Sequence, residues 1–169
     1  MARGMDDAVL RSMARWPGVP DVYGWLALDR RGNFRLRSEA DPARFERIGN
    51  EALRAFIARN YRPDARGCWY FQNGPQRVFV RLEYAPLVVR SEGEGFVDHC
   101  GRPFRAERMF LDDEGALLLA GASGLGLLDD RDLGAFAEAA ADLPVVPRGA
   151  IPGRFGFVPD PGAGILAPP

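Results

Sequence analysis

The frame Leu-Asp-x-x-Gly-x-apolar-x-Leu occurs twice, as LDRRGNFRL over residues 28–36 and as LDDEGALLL over residues 111–119. Aspartate at the first position of a tight turn can bond its own backbone two residues on, and glycine at the fourth takes a left-handed conformation cheaply. Each frame therefore predicts a β-hairpin. We read the shared frame as two hairpins using one turn chemistry independently, not as a duplicated half.

Further β pattern follows. Residues 23–37 form the first hairpin, with Phe34 and Leu36 alternating with Arg35 and Arg37. Leu87–Arg90, Gly95–His99, Arg105–Leu111 and Ala116–Ala120 read as strands. Between them, GCWYFQNGPQRVFVRLEY (67–84) is a hairpin signalled by Asn73-Gly74. Pro75 has no N–H with which to close a two-residue turn against Gln72, so a longer loop is expected. A three-residue loop sets Gln72 opposite Gln76 and places Trp69, Phe71, Arg77, Phe79 and Arg81 on one face. A four-residue loop sets Phe71 opposite Gln76. It buries Trp69, Phe71, Val78, Val80, Leu82 and Tyr84, and turns Tyr70, Gln72, Arg77, Phe79, Arg81 and Glu83 the other way. The second arrangement separates apolar from polar better and is favoured.

Three helices are expected. A short one spans residues 5–16, ending before Pro17. The longest begins at Asp41-Pro42, an N-cap with proline at the first helical position, and carries Phe45, Ile48, Ala52, Leu53, Phe56 and Ile57 as one stripe. A final helix over about 130–141 is introduced by Asp129 and Asp130. The segment 144–169 holds 7 of the 14 prolines yet keeps Ile151, Phe155, Phe157, Val158, Ile165 and Leu166. It reads as an extended Pro/Gly-rich strap over a single α+β domain spanning 1–143, with the last few residues loose. The expected fold is α+β: a mainly antiparallel sheet of about seven strands, one long amphipathic helix packed on it, and short terminal helices.

Composition removes whole mechanisms. All 22 basic residues are arginine, so no Schiff-base or P-loop lysine exists. No apolar run approaches the ~20 residues of a membrane helix, and Asp6 and Asp7 interrupt any signal-peptide pattern. The two cysteines, Cys68 and Cys100, cannot make a disulfide framework. A cytoplasmic protein is the expectation. Residues 1–90 carry 16 arginines against 10 acids, whereas 91–169 carry 6 against 13. Such bipolar charge can steer self-association or an acidic partner.

Several motifs fail on their own terms. GRFGFVPD (153–160) resembles an RNA-recognition core, but Pro159 cannot serve a central strand and too little chain follows. LLLAGASGLGLLDDRDLG (117–134) resembles a strand, phosphate loop and helix, but Asp129, Asp130 and Asp132 occupy the helix start that phosphate needs. Asp98-His99-Cys100 with Cys68 offers a Cys₂His set one ligand short of closed zinc coordination, and successive strand residues point to opposite faces. No metal and no cofactor is expected.

The remaining surface is Arg77, Phe79 and Arg81 with Tyr70 and Glu83. Two guanidinium groups beside an aromatic ring can hold a carboxylate, a phosphate or a base. The reading is a non-enzymatic binding or interaction module for an anionic small molecule or protein partner. Two alternatives stand beside it: a small-molecule hydrolase or transferase using His99 as acid/base, and single-stranded nucleic-acid binding by the same face, against which the net charge of −1 argues.

The run from WPGVPDVYGWLALD through FIARNY to GCWYFQNGPQRVFVRLEYAPLVVR resembles an uncharacterised proteobacterial protein family of unknown function. The likeness covers about residues 16–120. It implies a soluble bacterial origin and no particular chemistry.

Overall fold

In the computed structural model, which describes residues 5–163, two mixed β-sheets enclose one continuous core. The chain enters through helix α1 (Asp7–Arg15) and runs β1 (Val22–Leu28), β2 (Phe34–Arg37), β3 (Phe45–Arg47), α2 (Glu51–Arg59), β4 (Tyr61–Pro63), β5 (Trp69–Asn73) and β6 (Gln76–Leu82). These strands form the first sheet, in the order β3-β2-β1-β6-β5-β4. Then come β7 (Leu87–Glu92), β8 (Gly95–Asp98), β9 (Pro103–Phe104), β10 (Arg108–Asp112), β11 (Leu117–Gly121) and β12 (Gly124–Leu128). After a 3₁₀ turn at Asp130–Phe136 and α3 (Ala137–Ala140), β13 (Val145–Val146) completes the second sheet, ordered β13-β10-β11-β12-β7-β8-β9. A second 3₁₀ turn, Arg148–Ala150, and α4 (Ile151–Phe155) follow.

Both sheets share a plan. Each joins two three-stranded antiparallel meanders through a parallel pair between the first and last strands, β1 with β6 and β7 with β12. In the second sheet β13 adds a further parallel strand beside β10. The expectation of one mainly antiparallel sheet under a long helix is thus corrected on both counts. The helix expected from Asp41 begins ten residues later. Asp41 Oδ1 accepts the Ala43 N–H and Asp41 O accepts the Arg44 N–H, so Asp-Pro-Ala-Arg is a turn. Phe45–Arg47 pairs with β2, and only at Asn50, whose Oδ1 accepts the Leu53 N–H at 3.0 Å, does a helix start. Phe45 and Ile48 fall in helical phase with Ala52, but Gly49 breaks the propensity between them. Among the described residues all four helices are short, and none is long and apolar enough to cross a membrane.

The glycine-rich run after residue 117 is a hairpin, with Gly121 paired to Gly124 and β12 standing where a helix would follow a phosphate loop. The expected final helix is mostly 3₁₀, capped by Asp129. Beyond residue 143 the chain lies against both sheets: Val146, Ile151 and Phe157 are core residues. Val158 N–H donates to Gly67 O and Leu82 N–H to Pro159 O. The expectation of loose final residues lies outside the described residues.

One turn recurs four times. Oδ1 of Asp29 accepts the Arg31 and Asn33 N–H groups, and Oδ1 of Asp64 accepts those of Arg66 and Cys68. Asp98 does the same for Cys100 and Arg102, and Asp112 for Glu114 and Ala116. The glycines three residues on, Gly32, Gly67, Gly101 and Gly115, have φ of 80, 80, 78 and 88°. The two frames read from the sequence are two of these four.

Two of the four give a clean comparison. A Cβ on Gly67 would sit 2.1 Å from the Gly156 carbonyl oxygen, whereas one on Gly115 would meet open space. Gly115→Ala should cost the ~1–2 kcal/mol of a left-handed alanine, and Gly67→Ala more than about 3 kcal/mol. Urea midpoints check this; equal losses would mean that the Gly156 region is not seated against the Gly67 turn.

The carboxylates also set the acid limit. For Asp29 and Asp64 burial works against ionisation but is outweighed by hydrogen bonds, from Asn33, Arg35 and Arg31 in one and from Cys68 and Arg66 in the other. Burial of Asp112 is likewise outweighed, by Tyr84, Ala116 and Glu114, so all three carboxyls titrate below their ordinary value. Arg131 brings Asp129 down to about 2. Such groups contribute stability above the unfolded value, ~3.9, and lose it as pH falls through the folded one. Asp98 counts the other way, because burial outweighs its bonds from Arg102 and Cys100 and raises its pKa. Unfolding free energy should therefore hold above about pH 5 and fall towards pH 2, with Asp129→Asn shrinking that fall. A pH profile of chemical denaturation that is unchanged in this variant would contradict the assignment.

Candidate functional site

The candidate site is the outer face of the first sheet, and the β5–β6 register decides what it presents. Asn73 pairs with Gln76 and Tyr70 with Phe79, so the turn is the two residues Gly74-Pro75. Neither the three- nor the four-residue loop forms. The turn slides one residue along, placing Gly74 at φ 56° in its first position, and Pro75 is then not asked for an N–H. Gln72 Nε2 donates to Gly74 O at 2.9 Å and braces the loop. Because this register differs by two from the four-residue one, the faces sort as that arrangement has them: Trp69, Phe71, Val80 and Leu82 are buried in the core, and Tyr70, Gln72, Arg77, Phe79 and Arg81 turn outward.

The outward residues meet different fates. Phe79 is 1% exposed. Tyr23 stacks on it at 4.8 Å and 5°, Tyr70 leans on it at 5.6 Å, and the Arg77 guanidinium lies 5.2 Å from its centroid. Arg77 is gripped by Asp21, with Nε and Nη2 donating at 2.8 and 2.7 Å. That hydrogen-bonded pair holds the guanidinium more firmly charged than usual. Glu83 Oε2 accepts the Arg30 N–H at 3.1 Å. Arg81 stands apart: its side chain is 60% exposed and its nearest carboxylate, Asp160, is 4.0 Å away. Among the described residues its guanidinium donates no hydrogen bond.

Cross-strand pairing gathers more arginines here. Ala27 pairs with Arg35 on one side and Arg81 on the other, and Arg35 pairs with Arg47. The row Arg47, Arg35, Ala27, Arg81 crosses four strands. Beside it Arg37 covers Trp25 at 4.1 Å. Over Ala27 the row opens into a hollow of about 380 Å³, lined also by Phe45, Asp29 and Glu83. Arg35 Nε donates to Asp29 Oδ2 at 2.9 Å, which fixes its direction along the hollow's edge. The alternation of Arg35 and Arg37 is plain in the sequence. Their adjacency to Arg81 is not, because it depends on the parallel pairing of β1 with β6.

At the other end of the face, α1 and the segment after it fold over the β5–β6 turn. Asp6 N–H donates to Asn60 Oδ1 at the end of α2 and Gln76 Nε2 donates to Pro20 O, tying one end of this cover to α2 and the other to the sheet. A second hollow of about 380 Å³ lies beneath, between Trp16, Pro17 and Val19 on one side and Tyr70, Gln72 and Arg77 on the other. Arg81 and Arg77 therefore serve different hollows, with Phe79 buried between them.

His99 is separate from this face. Its ring contacts Phe34 and Tyr61 at 5.3 and 5.4 Å, and Nδ1 accepts the Val88 N–H at 3.1 Å, so Nε2 carries the proton. Burial, helped by Arg102, lowers its pKa to about 3. It is a neutral imidazole with no titration near pH 7. Burial also raises the thiols of Cys68 and Cys100. Among the described residues no three His, Cys, Asp or Glu side chains converge as a metal site.

The fold is similar to the crystal structure, at 2.50 Å resolution, of a DUF1285 family protein from Silicibacter pomeroyi DSS-3. The TM-score is 0.52 and the identity 17%, over 82% of this chain and 78% of that one. This is a likeness of fold alone. No curated protein matches the chain. The model of a family named DUF2944 and described as "Protein of unknown function (DUF2946)" matches residues 5–162, nearly the whole of the structure just described, and the chain belongs to that family.

Proposed function

We propose that the protein is a non-enzymatic binding module that holds an anionic group, a carboxylate or a phosphate, in the hollow over Ala27. The row Arg35–Ala27–Arg81 carries this reading. Two guanidinium groups flank a side chain too small to fill the space between them, and Arg81 keeps its donors unspent. Guanidinium binds such oxygens by paired, charge-assisted hydrogen bonds. Phe45 gives one wall an apolar surface, and Glu83 at the rim repels a ligand carrying negative charge along its whole length. Arg77 belongs to the same sheet face but serves the structure, because Asp21 takes both its Nε and its Nη2, whereas Asp29 takes only the Nε of Arg35.

The two arginines should separate on mutation. Inorganic phosphate titrated into the full chain should shift the Arg81 Nε–H NMR signal saturably. Arg81→Gln should abolish the effect with little change in melting temperature. Arg77→Gln should leave phosphate binding intact and cost about 1–2 kcal/mol of stability, as loss of a charged hydrogen-bonded pair does. A phosphate response that survives Arg81→Gln, or that is as large at Arg108 on the second sheet, would refute the assignment.

A further inference from the structure

A second row of side chains runs beside the arginine row on the outer face of the first sheet. Arg37 pairs with Phe45 on one side and lies over the Trp25 ring at 4.1 Å on the other. Among the described residues its guanidinium makes no ion pair and donates no hydrogen bond; its contact is the indole. Trp25 and Ala27 flank the buried Leu26 on β1 and share its outward face, so their Cα atoms stand about 7 Å apart. Tyr23 and Phe79, on the same face, spend their rings on each other. Trp25 does not: even with Arg37 across it, it stays 44% exposed.

An indole left in water beside a place for an anion fits a ligand that carries both an anion and a ring. A flat ring stacks on an aromatic side chain whatever its substituents, and Arg37 adds a cation to the same platform. An anion held between Arg35 and Arg81 over Ala27 has Trp25 one side-chain repeat along the strand. A ring bonded directly to the anion would end over Ala27, whereas a ring set off by a short spacer reaches the indole. Glu83 on the rim of the hollow disfavours a strand with a negative charge at every unit. We propose that the ligand is a monophosphate whose flat ring is set off by a spacer, the pattern of a nucleoside monophosphate. Its phosphate lies between Arg35 and Arg81 and its base on Trp25. This rests on the anion site over Ala27 and adds what the anion is attached to.

Adenosine monophosphate is the probe, and ribose phosphate, the same anion and spacer without the ring, is its control. In ¹H–¹⁵N spectra of the full chain both should saturably shift the Arg81 Nε–H signal. Adenosine monophosphate alone should also shift the Trp25 indole N–H, and should bind at least about fivefold more tightly, the lower end of what one stacked base contributes. Trp25→Leu keeps an apolar side chain and removes the stacking plane. It should bring adenosine monophosphate down to the affinity of ribose phosphate and leave ribose phosphate unchanged. Nuclear Overhauser contacts between the adenine protons and the Trp25 indole in the unaltered chain give the same reading should the variant fail to fold. Equal affinity for the two phosphates, or a preference that survives Trp25→Leu, would overturn the ring platform while leaving the anion site standing. No shift at Arg81 with either phosphate would sink both. An oligothymidylate that binds more tightly than thymidine monophosphate would also overturn the proposal, by making a nucleic-acid strand the ligand.

Discussion

The carboxylate of an aspartate, closing on two backbone N–H groups of its own turn, is the interaction on which both sheets rest. Asp29, Asp64, Asp98 and Asp112 each make it, and each sits at the end of a strand whose neighbour must start at a fixed register. Because side chains alternate along a strand, an error of one residue at such a turn would exchange the core face for the solvent face. The aspartates also reach beyond their turns. Asp29 aims Arg35 along the hollow over Ala27, and Asp112 accepts the Tyr84 hydroxyl at 2.8 Å, binding the segment between β6 and β7 to the second sheet. The same carboxylates thus place strands, connect sheets and orient a candidate ligand group.

The two sheets repeat a plan at the level of topology. In each, the fourth and fifth strands are joined by an Asp-x-x-Gly turn, at Asp64 and Asp112, and the fifth and sixth by two residues. The sequence frame shared by residues 28–36 and 111–119 does not reflect this correspondence, since it links the first hairpin of one sheet to the fourth-strand hairpin of the other. The match at 28–36 is local turn chemistry. The structural counterpart of the 112–115 turn is 64–67, which lacks the flanking leucines that made the frame visible.

What could be read from the sequence was therefore local. Hairpins at 29–32 and 112–115, the outward set on β6 and the cap at Asp129 all follow from neighbours in the chain. The stretch from Asp41 reads as helix because Phe45 and Ile48 lie in phase with Ala52, while the capping of Leu53 by Asn50 competes for the same start. Asp98-His99-Cys100 drew notice as a metal motif when it is the opening of a third aspartate turn. The hollow over Ala27 was legible only in parts. Arg35 and Arg81 each alternate correctly, yet no local rule pairs residues 54 apart on parallel strands, and that pairing puts Ala27 between them.

The seating of residues 156–159 has a consequence for biosynthesis. Val158 N–H closes on Gly67 O and Leu82 N–H on Pro159 O, so two backbone groups in the first sheet find their partners in chain made some 80 to 90 residues later. On the ribosome, β1 to β6 can pair as soon as they emerge, but the Gly67 turn and the end of β6 stay open to water until residue 159 is free. The nascent first sheet waits, incomplete, through the whole synthesis of the second. A pause between them would expose Trp69, Leu82 and their neighbours for its duration, which makes the interval between residues 82 and 159 the stretch where a chaperone has most to protect.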